Sequence, residues 1–202
     1  MSAKHSVSEV SAPEPKPRAA ERIRRTAAEL FYRQGIRAVG VEEIVTRAGV
    51  TKPSLYRSYA SKDELAAAYL RDYDEGFWKR FEKPAGQHPG DPRGQLLAYM
   101  AGLAERAQRH GYRGCGLSNA AVEYPEAGHP AREVAQANKR RWRERLIEMC
   151  KAMGAKSPEP LADGLLLLME GAFASGQLFG PDGPARSLVA VADSLIEAAL
   201  RE

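Results

Sequence analysis

The chain is 202 residues long, enough for one ordinary domain or a small domain joined to a larger one, and its 44% apolar and 28% charged composition is that of a globular protein. No run of about 18 apolar residues occurs, the stretch Met1 to Lys16 is polar and proline-rich, and Cys115 and Cys150 are the only cysteines. No membrane span, secretory leader, disulfide scaffold or four-thiolate zinc site is therefore expected, and a reducing cytoplasm is the expected compartment. The net charge is +4, yet residues 1–60 alone carry 11 lysines and arginines against 6 acids, so the positive excess is N-terminal. A basic module joined to a nearly neutral one suits a protein that meets phosphates with one part only, although basic tails are common.

Residues 1–17 hold Pro13, Pro15 and Pro17 among Ser, Ala and Glu, a composition expected to form a disordered tail. From Ala19, Ile23, Ala27, Leu30 and Phe31 share one helical face while Arg22, Arg24 and Arg25 lie off it, and Gly35 is expected to stop this helix in a left-handed conformation. A second helix is expected over Val41 to Ala48 and a third over Thr51 to about Tyr59, with only Gly49 and Val50 between them. Ser61 with Glu64 makes a capping box, after which Leu65, Tyr69, Tyr73, Phe77 and Phe81 recur every four residues. A Pro/Gly-rich linker is expected over Lys83 to Pro92, then helices near 93–110, 117–125, 130–153, 158–179 and 185–201, the last two parted by Gly180-Pro181-Asp182-Gly183-Pro184. Sustained apolar alternation is missing, so the chain reads as all-α with about nine helices.

The tight pair of helices is a helix-turn-helix pattern. Ile44, Val45 and Ala48 supply the inner face of the first helix, Gly49 the turn, Val50 the corner and Leu55 the closing contact. Thr51, Lys52, Ser54, Tyr56 and Arg57 are left on or near the outer face, close to the end of the second helix that enters a DNA major groove. A plain helical hairpin with Gly in its turn satisfies the same spacing.

The run from Ala20 to Leu70 closely resembles the TetR family of transcriptional regulators, above all through Ile44, Ala48-Gly49-Val50-Thr51-Lys52-Pro53-Ser54-Leu55-Tyr56, Tyr59, Ser61-Lys62 and Leu65. The resemblance implies a three-helix DNA-binding domain on an all-helical ligand-binding and dimerisation domain, acting as a repressor that leaves its operator when a small molecule binds. The boundaries so implied are 18–60 for the reader and 61–202 for the remainder. Carried over by position, Lys52, Pro53 and Ser54 begin the base-reading helix, and Tyr56 and Lys62 look like phosphate contacts. Thr46, Arg47, Thr51 and Tyr59 complete the expected DNA-facing set with Arg57, which suits a phosphate or a guanine edge equally. Lys62 lies in the first turn of its helix, where free N–H groups already favour an anion. Gly40 stands where the family usually has a capping Ser or Thr, and Val45 replaces the more usual Ala. Arg113-Gly114-Cys115-Gly116, Asn119, Glu123, Pro125 and His129-Pro130 look like a motif of some TetR-family C-terminal domains.

Further along, Leu161, Leu165, Leu168, Met169, Ala172 and Phe179 form a stripe with Ser175 and several glycines nearby, and Leu188, Val191, Leu195 and Ala198 repeat at three- and four-residue intervals. Leu161, Leu165, Leu168, Ala172, Ser175, Phe179, Leu188, Val191, Leu195 and Ala198 are expected in a four-helix homodimer interface, as the resemblance also implies; both stripes could instead face their own core. For the effector, a small and largely apolar molecule, the candidate lining is Phe77, Trp78, Phe81, Tyr99, Met100, Cys115, Asn119, Glu123, Trp142, Met149, Met169, Phe173 and Gln177.

The function expected is a homodimeric, cytoplasmic DNA-binding regulator of a palindromic operator, with no catalytic residues, metal or cofactor. A protein-binding adaptor on the same fold is one alternative. A thiol enzyme built on Cys115, with His110 or His129 as base and Glu123 orienting it, is another, although no nucleophile motif supports it. His5, His88, His110 and His129 show no metal-ligand spacing. The basic run Lys139 to Arg145 reads as a solvated helical face or a second nucleic-acid patch.

Overall fold

A computed structural model describes residues 18–201, so the tail expected over 1–17 lies outside the described residues. Within them the chain is all-α: α1 (Ala19–Gln34), α2 (Val41–Ala48), α3 (Lys52–Ser58), α4 (Lys62–Ala85), α5 (Pro92–Ala107), α6 (Gly116–Glu123), α7 (Pro130–Ala152), α8 (Pro158–Phe179) and α9 (Leu188–Arg201). Two short 3₁₀ turns, Gly180–Asp182 and Pro184–Ser187, occupy the proline- and glycine-rich breaker before α9.

Local chemistry sets most of these boundaries. α2 closes in a Schellman motif: Gly49 sits at φ 61°, ψ 43°, its N–H reaches Thr46 O, and the Val50 N–H reaches Val45 O. Gly35 also has positive φ (93°), but with ψ 152° it is extended rather than left-handed helical, which sends the chain away from α1 instead of curling it back. At the start of α4 the Ser61 hydroxyl accepts from the Glu64 N–H at 3.1 Å, so half of the capping box forms; the Glu64 carboxylate instead accepts from Arg71. α4 runs past the expected start of the linker, with Pro84 in its last turn. Burial of Phe81 and Ala85 holds that turn despite the backbone donor that proline lacks.

α1, α2 and α3 close over Ile23, Leu30, Ile44, Val45 and Leu55, and the first turns of α4 add Leu65 to this core. The second half of α4 packs on α5 and α7 around a cluster of edge-on rings, in which Trp142 lies 5.3 Å from Phe77, 4.9 Å from Phe81 and 5.5 Å from Tyr99, centroid to centroid. α8 lies against α7, α5 and α9. Ion pairs brace these contacts from outside: Arg143 with Asp163, Lys139 with Glu170, and Arg93 with both Asp193 and Glu197.

Candidate nucleic-acid interface and effector cavity

The helix-turn-helix is held from behind by a side chain that the sequence reading did not single out. Arg22 of α1 donates from Nε to Ala48 O at 3.1 Å and from Nη2 to Gly49 O at 3.2 Å, tying the turn to α1. With the inner face buried, α3 and its N-cap Thr51 present Thr51, Lys52, Pro53, Tyr56 and Arg57 outward, Tyr56 being 47% exposed. Ser54 is a hub: its Oγ lies 3.0 Å from Thr51 Oγ1 and accepts from Arg57 Nη2 at 3.0 Å, while its carbonyl accepts from the Ser58 hydroxyl. The beginning of α3 is thus a row of organised donors.

Its cations are only loosely engaged. Lys52 lies 3.8 Å from Glu42, and Arg47 2.9 Å from Glu43, both exposed pairs of the kind worth about 0–1 kcal/mol and readily exchanged for phosphate. Thr46 is exposed beside them. Tyr59 and Lys62 are held more closely. Tyr59 is half-buried behind the Arg24–Asp72 ion pair, and burial raises its pKa. The Lys62 ammonium donates to Arg37 O at 3.2 Å, and burial pulls its pKa down against the opposing charges of Asp63 and Glu123.

Behind the reader a cavity of about 470 Å³ opens between α1, α4, α5 and the segment 109–115. Ala28 and Tyr32 of α1, Tyr69, Tyr73, Phe77 and Arg80 of α4, and Tyr99, Leu103 and Arg106 of α5 form its walls, with Phe173 of α8, residues 109–112, Gly114 and Cys115 closing it. Four expected lining residues are there: Phe77, Tyr99, Cys115 and Phe173. Asn119, Glu123 and Gln177 line a smaller adjoining cavity of about 220 Å³ that shares Tyr32 and Tyr69 with the first. The other six are corrected. Met100, Trp142, Met149 and Met169 are buried in the core, and Trp78 and Phe81, packed on each other and on Trp142, face a separate cleft with Arg141 and Arg145.

Glycine lets the segment after the cavity floor pack on α4. At Gly116 a Cβ would come within 2.7 Å of the Tyr69 hydroxyl and 3.1 Å of the Tyr73 ring, so only glycine lets the chain pass this close to α4. The neighbouring Gly114 carbonyl accepts from the hydroxyls of Tyr32 (3.3 Å) and Tyr73 (3.4 Å). From this floor α6 runs back to the reader, where the Glu123 carboxylate accepts the Arg37 N–H at 2.8 Å and Arg37 Nη1 donates to Glu123 O at 3.0 Å.

The family model for bacterial regulatory proteins of the tetR family matches residues 23–69. Over the whole chain the fold matches the solved regulator sav143 of Streptomyces avermitilis, with 31% identity, a TM-score of 0.82, and 91% of this chain and 98% of that one covered. The chain belongs to the TetR family of transcriptional regulators. Another family member, SCO4454 of Streptomyces coelicolor, superposes with a TM-score of 0.85 at 29% identity, covering 90% of this chain and 96% of its own. The activator FasR of Mycolicibacterium smegmatis is 49% identical over 45 residues, which are 22% of this chain and 20% of FasR. This TetR-family chain is accordingly a DNA-binding transcriptional regulator.

Other features of the TetR-family chain sort by what their side chains touch. Cys115 is buried and its Sγ accepts from Lys139 Nζ at 3.7 Å; among the described residues no hydrogen bond joins it to a histidine. His129 is committed elsewhere, with Nδ1 accepting the Ala131 N–H at the start of α7 and the ring stacked 3.8 Å from Tyr124. Among the described residues no three His, Cys, Asp or Glu side chains converge on a possible metal position, and no helix is long and apolar enough to cross a membrane. The basic run on α7 is largely spoken for: Lys139 and Arg143 pair across to α8, Arg145 pairs with Glu148, and Arg141 stacks over Trp78 at 4.1 Å.

The expected dimer stripe divides. Leu161 and Leu165 are 3% and 0% exposed within the single chain and belong to its core, because that side of α8 faces α7 and α5. Leu168, Ala172, Ser175, Leu188, Val191 and Leu195 instead line an apolar groove of about 630 Å³ between α8 and α9, together with Gly164, Gly171 and Leu167. Phe179 and Ala198 are exposed on the same two helices. Leu167 and Leu178, outside the expected set, are 71% and 78% exposed. A stripe one step round from the one read was available in the sequence, since α8 is apolar on both sides.

Proposed function

We propose that this regulator is a homodimer that grips a palindromic operator with two copies of α3 and is released from it, as a repressor, by a small molecule entering the cavity behind the reader. On this reading residues 18–60 form the reader and 61–202 the effector and dimerisation domain, and the protein works in the cytoplasm beside its DNA. Lys52, Pro53 and Ser54 read bases; Thr46, Arg47, Thr51, Tyr56, Arg57 and Tyr59 hold backbone or flanking positions; Lys62 turns from Arg37 O to a phosphate when DNA arrives. Phosphate neutralisation by these cations gives binding its salt dependence.

One observation carries the regulatory part: the cavity and the reader share walls. Ala28 and Tyr32 of α1 line it directly, and its floor at Gly114 and Cys115 continues into α6, whose Glu123 holds the turn after α1. A ligand that prefers a shifted α4 or α6 changes the separation of the two α3 helices, and a coupling of about 1–3 kcal/mol suffices for a 5- to 150-fold change in affinity. The apolar groove of α8 and α9 supports pairing of two copies, which sets two recognition helices about one DNA turn apart. Selection of bound sequences from a random duplex pool, followed by anisotropy titration of the best site at two salt concentrations and a promoter reporter, tests the reading. A palindromic site, a steep salt slope and reporter silencing are expected. An asymmetric site, or a reporter that rises with the protein as the name of FasR would suggest, overturns the dimeric or the repressor part respectively.

A further inference from the structure

Resting on the reading that this cavity is the effector's seat, we propose that the effector is an amphipathic oxyanion, with its charged head on Arg80 and Arg106 and an apolar or aromatic body against Phe77 and Phe173. The lining is rich in donors and poor in acceptors. No Asp or Glu lines the cavity among the described residues, and of its three arginines only Arg109 has an ion-pair partner there, Glu105 at 2.5 Å. Arg80 and Arg106 lie over rings instead, 5.1 Å from the Tyr73 centroid and 5.9 Å from that of Tyr99. Both are half-buried, and both fields reach the hydroxyls of Tyr99 and Tyr112, so the two cations bear on one region.

A guanidinium does not shed its proton, so two of them on one partly dehydrated wall repel each other until an anion arrives. A second observation is independent of charge. Tyr69, only 4% exposed, lines this cavity and the smaller one beside it, and its hydroxyl has no hydrogen-bond partner among the described residues. A buried unpaired hydroxyl is costly and marks a place where an acceptor is expected. The Gly114 carbonyl on the cavity wall is already taken by Tyr32 and Tyr73. Carboxylate and phosphate ester heads both supply what the wall lacks, several acceptor oxygens with negative charge, and planar bidentate pairing with arginine suits either. The volume of about 470 Å³ holds a body of drug-like size.

The test is calorimetric titration of the full-length protein with three probes that share one ring system: 1-naphthylacetate, 1-naphthyl phosphate and the uncharged 1-naphthylacetamide. At least one anion is expected to bind tenfold or more tightly than the amide, and the tighter anion identifies the head group. Arg80→Gln and Arg106→Gln should each weaken that anion about tenfold and leave the amide unchanged, with Arg80→Lys restoring part of the loss. Tyr69→Phe should weaken the anion without lowering the melting temperature. Failure of both anions to bind, equal binding of the amide, or anion binding indifferent to both arginines overturns the proposal. The same compounds added to the operator complex test release separately: an anion bound through Arg80 and Arg106 that leaves the complex intact supports the site chemistry and overturns release.

Discussion

Replacing Leu167 with Glu should dissociate the proposed homodimer, and the size of the effect follows from exposure. Leu167 is 71% exposed in the single chain and stands on the rim of the groove between α8 and α9. Full burial of a leucine contributes about 1.5–3 kcal/mol, so covering the remaining exposed part on pairing contributes about 1–2 kcal/mol per subunit. A two-fold interface uses the residue twice, which makes about 2–4 kcal/mol, or a rise in the dimer dissociation constant of roughly 30- to 1000-fold. The carboxylate adds a desolvation cost that pushes the change toward the upper end. Sedimentation equilibrium across a concentration series reads the constant directly, with the exposed Lys79→Glu on α4 as a charge control. Leu167→Glu sedimenting as the same dimer with an unchanged constant would refute the assignment of this groove, whatever the DNA affinity then showed.

Arg22→Ala removes both bonds from α1 to the turn carbonyls, each worth about 1.5 kcal/mol or more for a charged donor. A drop of several degrees in melting temperature is expected together with weaker binding to every DNA sequence; unchanged melting would show the staple to be idle. Lys52→Ala and Ser54→Ala should relax sequence choice, whereas Tyr56→Phe should weaken all sequences alike, and identical binding profiles for the three variants would contradict this division of roles. Burial pushes the Cys150 thiol up to about 11. Because the folded value lies above the unfolded one, its contribution is complete below pH 9 and is lost as pH rises toward 11, by about 2–3 kcal/mol. Urea unfolding at pH 8, 9 and 10 with reductant should show this fall, and Cys150→Ala should flatten it; an equally steep fall in the variant would assign the dependence to the buried tyrosines.

The helices and the reader were legible in the sequence because the forces that make them act over a few residues. Ser61 caps α4 through a donor three residues away, Gly49 ends α2 through carbonyls within four residues, and Ile44, Val45, Ala48 and Leu55 meet across a single turn. The family resemblance rested on the same stretch. The one miss nearby, Arg22, reaches carbonyls 26 and 27 residues away and reads in sequence only as another charge off the apolar face.

The cavity and the groove were decided by tertiary structure. An aromatic stripe states that a face is buried, not whether its rings meet protein or empty space. Phe81 and Trp142 close on each other from α4 and α7, while Phe77 of α4 and Tyr99 of α5 are left with one side toward the cavity. Arg80 and Arg106 lie among exposed charges in sequence, and only the crossing of α4 and α5 under the segment 109–115 turns them onto a common wall. On α8 the leucines surround the helix, so periodicity could not separate the side facing α7, which buries Leu161 and Leu165, from the side left uncovered. Hydrophobic patterning is a property of one helix, whereas a void or an uncovered face is the remainder after several helices have packed, and that remainder depends on crossing angles and side-chain volumes no single segment encodes.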